Sequence, residues 1–375
     1  MKKKILFLIQ TLKFGGGAPK VTSSLTLELA KKYEVSILSL FHFQKNYPFL
    51  GKYYSIKAKR RFSGILFRIF KIYKIINSIS PDIIITPMTF SSFWVIPIKY
   101  LFRIDIPLII SINTNPNMQY KKRIHFKYLI RFLFPLKKVN ALVPVSKDLK
   151  KILHNKYKID KTKIIPIYNG IDIEKIRRIA KENIDEYEDV FNNAKIFKFI
   201  TIGRLSGEKG HKYLIEAFSK VNKEIPNSRL FIIGEGPLRG QLTKLIKDKR
   251  LEHKAILLGT KNNPYKYITK ANIFVLSSLH EGLPFVLIEA LACGIPIIAT
   301  DCETGPKEIL ENGRYGILTN VADSNDLADK MILLAKNQEA REMFSKKSIE
   351  RVKIFEKRKF IDNWSNLVDK LSKKS

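Results

Sequence analysis

The stretch ANIFVLSSLHEGLPFVLIEALACGIPIIAT, residues 271–300, reads as strand, loop, helix and strand in immediate succession. The apolar run ANIFVLSS ends at Ser278, and His280, Glu281 and Gly282 make a short loop. Pro284 suits the first position of a helix that Gly294 can end. IPIIAT (295–300) is then a second buried strand. Apolar strands separated by helical segments imply parallel sheets covered on both faces.

The same rhythm runs through the whole chain. KILFLIQ (4–10) reads as a strand, followed by a loop with Gly15, Gly16 and Gly17 and a helix from about Pro19. EVSILSLF (34–41), PDIIIT (81–86), PLIISI (107–112) and ALVPVS (141–146) are further strands, and KIIPIYNGID (163–172) reads as a strand leaving the first domain. Residues 173–195 are polar and charged, as a connection would be. FKFITIG (197–203) restarts the pattern, followed by a helix over 211–222 and then RLFIIGEG (229–236) and AILLG (255–259). Near the end Phe360, Trp364, Leu367 and Leu371 fall on one helical face. The expected fold class is α/β: two doubly wound, Rossmann-like domains facing a cleft. Their expected limits are 1–172, a connection over 173–195, 196–352, and a terminal helix within 353–375. Ligands in such sheets sit beyond the carboxyl ends of the strands.

Composition narrows the class. A chain of 375 residues is long for one core, and 45% apolar content suits a globular protein. The two cysteines, Cys293 and Cys302, have no metal spacing and no disulfide framework, which points to a reducing compartment. MKKKILFLIQTLKFGG mimics a signal peptide, but its apolar core is short and runs into the glycine loop, so it reads as a strand. The uncharged run between Asp82 and Lys99 is only 16 residues long, with Pro87 and Pro97 inside it. A membrane-spanning helix needs about 20 apolar residues, so none is expected. Net charge is +34, and residues 1–168 hold 32 Lys/Arg against 6 Asp/Glu, or +26 of that total. So basic a half suggests an anionic partner.

Several loops at strand ends carry chemistry. In the opening stretch, the N–H groups near Phe285 and Val286 face a loop, an arrangement that attracts phosphate. Glu289, more than a turn inside, suits sugar hydroxyls rather than phosphate. Glu281 suits a second sugar or a reacting carbon. GRLSGEKG (203–210) offers Arg204 and Lys209, two cations able to neutralise a diphosphate. GEGP (234–237) and GTKNN (259–263) are strand-end loops near where a base would lie. Each taken singly also fits plain helix capping or a solvated surface loop.

Taken in order, GGGAPKV, PVS, NGID, GRLSGEKG, IIGEGP and HEGLPFVLIEALACGIPIIATD resemble the retaining glycosyltransferases of the GT-B fold known as family four. The most specific element is Glu281 and Glu289, with seven residues between them, within EGLP and EALACGIP. The resemblance implies that Glu289 binds the ribose of a nucleoside-diphosphate sugar and that Glu281 holds the donor sugar near its anomeric carbon. Arg204 and Lys209 would stabilise the departing diphosphate, helped by Gly16 and Gly17. Gly282, Leu283, Phe285 and Asn113 would line the donor site. It also implies that the terminal helix crosses back to the first domain. No cofactor and no metal is implied, and the chain has no Asp-x-Asp loop. Pro19-Lys20 stands where many relatives have Glu-Arg or Glu-Lys. Asn113 stands where many carry a histidine, so no catalytic histidine is nominated, and His125, His154 and His280 read as surface, packing or loop-orienting residues.

The segments KAKRRFSGILFRIFKIYKII (57–76) and YKKRIHFKYLIRFLFPLKK (120–138) combine cations with large apolar residues. They read either as solvated helix faces over a core or as a surface for anionic lipid. The expected partners are a nucleotide-sugar donor, a lipid-linked or cell-surface glycan acceptor and an anionic membrane surface. Nucleic acid is not expected. The expected location is cytoplasmic, at the inner face of the cytoplasmic membrane. Two alternatives remain at this point: a nucleotide-sugar epimerase on the same scaffold, which needs acid–base groups that Asn113 does not supply, and a nucleic-acid-binding protein driven by charge. No reader motif supports the latter.

Overall fold

A computed structural model describes residues 2–12, 17–41, 47–56, 64–87, 89–116 and 138–372. The chain divides into two compact units, Met1–Asn169 with Arg358–Ser375, and Gly170–Lys357.

In the first unit β1 (Lys4–Ile9), β2 (Glu34–Ser39), β3 (Lys52–Ser55), β4 (Ile83–Thr86), β5 (Leu108–Ile112) and β6 (Ala141–Pro144) form a parallel sheet in the order β3-β2-β1-β4-β5-β6. The connecting helices include α1 (Gly17–Leu29), α2 (Ile65–Ile79), α3 (Thr89–Leu101) and α4 (Lys147–Asn155). Alternate residues Ile5, Phe7 and Ile9 of β1 join Leu25 and Leu29 of α1 in one core. Strands β4, β5 and β6 are buried on both faces, so their sequences are almost wholly apolar instead of alternating.

The second unit repeats the design. After α5 (Ile173–Ile179) and α6 (Glu188–Asn192) come β7 (Phe197–Ile202), α7 (His211–Glu224), β8 (Ser228–Ile233), α8 (Arg239–Asp248), β9 (Ala255–Gly259) and α9 (Tyr265–Ile268). Then follow β10 (Ile273–Leu276), α10 (Phe285–Ala292), β11 (Ile297–Thr300), α11 (Pro306–Ile309), β12 (Ile317–Thr319), α12 (Ser324–Lys336) and α13 (Gln338–Arg351). The sheet order is β12-β11-β10-β7-β8-β9, all parallel. Counted from the first strand of each sheet, both orders are 3-2-1-4-5-6. Strand order reverses between β1 and β4 in one sheet and between β7 and β10 in the other, and a doubly wound sheet binds ligands outside such a point.

The last helix, α14 (Lys357–Leu371), buries Phe360, Trp364, Leu367 and Val368 in the first unit's core, with Leu371 partly buried beside them. It starts later than residue 353, because Val352–Phe355 form a short 3-10 turn whose Phe355 carbonyl accepts from Ile171 N–H at 2.9 Å within the second unit.

Other expectations are corrected. Residues 163–172 form no continuous strand: Lys163 ends a 3-10 turn, Ile164 makes an isolated bridge to Leu142, and Ile165 and Ile167 donate to the β6 carbonyls of Leu142 and Pro144 at 2.9 and 3.0 Å. Residues 173–195 are not a loose connection, since α5 and α6 bury Ile173, Ile176 and Phe191 within the second unit. Strands β3 and β12 escape a sequence reading because both are short edge strands, and KYYS of β3 is exposed or half-buried. Helix α10 begins at Phe285 with Pro284 in the capping position, and it ends at Ala292, before Gly294.

Candidate functional site

The site is built at the reversal point of the second sheet, where β7 and β10 lie side by side and release their loops at the same edge. From β7 comes GRLSGEKG. Its Gly203 N–H donates to Ile233 O and its Leu205 N–H to Glu235 O, each at 3.0 Å, so this loop and the GEGP loop after β8 are hydrogen-bonded as one. Gly234 has φ +145°, and a Cβ there would lie 2.0 Å from the Gly203 carbonyl oxygen, so only glycine allows this approach.

From β10 come Ser277, Ser278 and the loop to Glu281. Leu279 N–H donates to Glu208 O at 2.8 Å, and Ser277 Oγ donates to Lys209 O at 3.0 Å. These bonds carry Lys209 to the end of β10. There its Nζ lies 2.6 Å from Glu281 Oε1, and Ser278 Oγ donates to the same oxygen at 2.7 Å. The Glu281 side chain is 9% exposed and that of Lys209 22%, so this pair is largely shielded from water, unlike a surface ion pair. From β11, Thr304 Oγ1 donates to the Glu281 carbonyl. Cys302 Sγ donates to Ser278 O at 2.9 Å. Burial pushes the Cys302 thiol up to about 11, and the Glu281 charge adds to the rise, so the thiol stays a neutral donor.

His211 opens α7 and is buried beside Lys209. Its ring nitrogens lie near the Gly203–Arg204 backbone, but neither makes a hydrogen bond of good geometry. Burial holds its pKa down to about 4, so at neutral pH it adds no charge. The positive groups of the site are therefore Lys209 and Arg204, whose side chain is exposed.

Helix α10 follows Glu281 directly, and no side chain caps its first turn. Its first N–H groups, around Phe285 and Val286, have no partner within the helix and suit an anion. Leu283 is buried, and Gly282 and Phe285 are half-buried. Glu289, the fifth residue of the helix, is buried, and its Oε1 accepts from the Tyr265 hydroxyl at 2.9 Å.

The structure brings Lys209 and Glu281 into direct contact, with Arg204, Gly282, Leu283 and Phe285 on the neighbouring loops of the same unit. Sequence reasoning gave Lys209 and Glu281 separate tasks and missed their pairing. Asn113, in the first unit, has its amide nitrogen committed to Pro87 O at 2.6 Å. Gly17 is the first residue of α1, whereas Gly16, Lys13, Arg60, Arg61, His125 and residues 120–137 lie outside the described residues. His280 is exposed, and His154 Nδ1 lies 2.9 Å from Ile159 O, a local packing contact. Ser278, Thr304 and Tyr265 went unnoticed. Ser278 was legible as the end of a strand facing the loop, whereas nothing in the spacing of Tyr265 marks it.

A cavity of about 610 Å³ lies elsewhere, against the far end of α10, and is lined by residues including Arg177, Lys181, Glu188, Lys270 and Cys293. It has no paired carboxylate and cation like Glu281 and Lys209, so the strand-end cluster remains the candidate site.

Comparison with known proteins bears on the family and the fold. The family model described as Glycosyl transferases group 1 matches residues 183–351, and that described as Glycosyltransferase Family 4 matches residues 15–175. The chain is 34% identical, over 81% of its length and 83% of the relative's, to an uncharacterized glycosyltransferase of Methanocaldococcus jannaschii. It is 34% identical, over 67% of its length and 66% of the relative's, to a Campylobacter jejuni enzyme named N-acetylgalactosamine-N,N'-diacetylbacillosaminyl-diphospho-undecaprenol 4-alpha-N-acetylgalactosaminyltransferase. Among solved structures, Anabaena HepE in complex with UDP and glucose superposes with a TM-score of 0.81 at 18% identity, covering 98% of this chain and all of that one. Two Rossmann-like sheets with alternating helices, shared along the whole chain, are the GT-B fold. The chain belongs to the glycosyl transferases of group 1, and it is a glycosyltransferase.

Proposed function

We propose that this enzyme is a retaining glycosyltransferase that moves a sugar from a nucleoside-diphosphate sugar, a UDP-sugar first among them, to a lipid-linked or cell-surface glycan acceptor. The observation that carries the reading is the Lys209–Glu281–Ser278 cluster at the reversal point of the second sheet. Lys209, Arg204 and the first N–H groups of α10 receive the diphosphate and stabilise the charge that grows on it as the bond to the anomeric carbon breaks. Glu281, held by Lys209 and Ser278, meets the donor sugar, and Glu289 meets the ribose. The acceptor hydroxyl attacks from the side the diphosphate leaves, so the anomeric configuration is kept. These fixed positive groups stand in for a divalent ion, so no cofactor is needed.

A lipid-linked acceptor is supported by the Campylobacter relative's name, which specifies a diphospho-undecaprenol-linked sugar. It is also supported by α2, whose Leu66 and Phe67 are 79% and 68% exposed beside Arg68, Lys71 and Lys74. Apolar side chains flanked by cations suit an interface with anionic lipid, consistent with a peripheral position at the inner membrane face. Among the described residues no helix is long and apolar enough to cross a membrane. Replacing Leu66 and Phe67 with serine and Arg60, Arg61 and Arg68 with glutamine lowers partitioning onto phosphatidylglycerol vesicles by about a hundredfold or more, since three cations at about 1 kcal/mol each near the surface come to about 3 kcal/mol. Unchanged sedimentation with those vesicles rules out this face.

A panel of UDP-, GDP- and ADP-sugars, with EDTA present, tests the donor reading. One donor is turned over in EDTA, and Glu289→Ala raises its KM by about tenfold, the size of one or two lost charged hydrogen bonds. If no donor is hydrolysed or transferred, or if Glu289→Ala behaves as wild type, the site assignment fails.

A further inference from the structure

We infer that Tyr265 is a positioning residue that fixes the Glu289 carboxylate for the nucleoside half of the donor. The inference rests on the reading above that Glu289 meets ribose hydroxyls. Glu289 is on the inner side of α10 and only 5% exposed. A carboxylate so placed is stable as an anion only if donors replace the water it has lost. The Tyr265 hydroxyl is such a donor, at 2.9 Å from Oε1. Burial, then the nearby Glu289 charge, raise the pKa of the phenol, so it remains a donor wherever the enzyme works.

Tyr265 is itself tightly held. Its N–H donates to Asn263 Oδ1 at 3.2 Å, and Asn263 Nδ2 donates to Ile179 O at 2.6 Å and to Glu182 Oε2 at 2.8 Å. The next residue, Lys266, pairs with Asp185 at 2.8 Å, and Tyr267 and Ile268 are fully buried. The phenol therefore projects from a fixed turn that directly follows GTKNN, the loop expected near the base. A glutamate on a helix has three side-chain torsions to settle when a ligand arrives. Anchoring one oxygen in advance lowers the ordering cost of binding. The effect falls on donor affinity, because the ribose contact is the same in the ground and transition states.

The test uses the full chain and its Tyr265→Phe, Glu289→Gln and double variants. Each is titrated calorimetrically with UDP, GDP and ADP and with their 2′-deoxy and 3′-deoxy counterparts, and KM and kcat are then measured with the active donor. Tyr265→Phe is expected to weaken the best-bound diphosphate about fivefold, the size of one hydrogen bond. It should raise donor KM to match while kcat changes less than about twofold. The loss disappears with whichever deoxy ligand lacks the hydroxyl that Glu289 receives, and in the Glu289→Gln background. An unchanged affinity, or an equal loss with every deoxy ligand and in the double variant, overturns the inference. If Glu289→Gln weakens binding and Tyr265→Phe does not, this inference falls and the ribose reading stands. If Glu289→Gln binds every diphosphate as wild type does, or if no diphosphate binds, the ribose reading falls and takes this one with it.

Discussion

Replacing Lys209 with alanine is expected to lower turnover by about two to three orders of magnitude, the cost of removing one fixed group that stabilises developing charge. It also unpairs Glu281. The carboxylate is mostly buried, and Ser278 alone remains to satisfy Oε1. Breaking a buried pair from one side costs about 3–5 kcal/mol. With Lys209 still 22% exposed, about 2–3 kcal/mol is the better figure. That lowers Tm by roughly 4–12 °C for a unit of this size. The two effects separate experimentally. Lys209→Ala with Glu281→Gln removes the stranded charge, so Tm recovers while turnover stays low. Lys209→Arg keeps the charge and most of the turnover. The proposed role of Lys209 is lost if the alanine variant, assayed well below its Tm, turns over within threefold of wild type.

Gly210→Ala is expected to be the most disruptive single-methyl change at the site. Gly210 has φ +63°, and a Cβ there would lie 2.1 Å from the Ser277 carbonyl oxygen. That obstacle is backbone and cannot swing aside, so either β10 or the GRLSGEKG loop must shift. The overlap adds to the cost of left-handed backbone, roughly 1–2 kcal/mol for a residue with a Cβ. A total of about 3 kcal/mol or more, and a Tm lower by roughly 6–12 °C, is expected. Activity falls as well, because the same displacement parts Lys209 from Glu281. Gly207 is the control: a Cβ there meets nothing within 4 Å, and no positive φ is involved. Gly207→Ala should leave Tm within about 1–2 °C of wild type by thermal denaturation, since surface changes of this kind stay within about 0.5 kcal/mol. Equal melting of the two variants contradicts the steric argument.

Most of the fold is legible in the chain because parallel strands with both faces covered must be apolar along their whole length. Ile83, Ile84 and Ile85, or Ile297 and Ile298, announce such strands without help from their neighbours. The edge strands KYYS and Ile317–Thr319 do not, since a short strand at an edge needs no such run. Residues 173–195 misled by their charge. Their few apolar positions, Ile173, Ile176 and Phe191, are enough to pin two short helices.

The site divides along the same line. Arg204, Lys209, Glu281 and the glycines around them could be picked out one by one, because they lie in loops that follow apolar runs, and Glu289 because it is a lone carboxylate within an apolar helix. Their pairing could not be read, because 72 residues separate Lys209 from Glu281 and 24 separate Tyr265 from Glu289. What brings them together is the strand order, which sets β7 against β10 although β8 and β9 come between them in the chain. The sequence by itself determined which segments are strands, which loops carry charge and which family the chain resembles, since these depend on local pattern. Only the tertiary structure decided that Lys209 neutralises Glu281 and that a tyrosine on a separate turn holds Glu289, since hydrogen bonds and ion pairs depend on distances that side-by-side strands create.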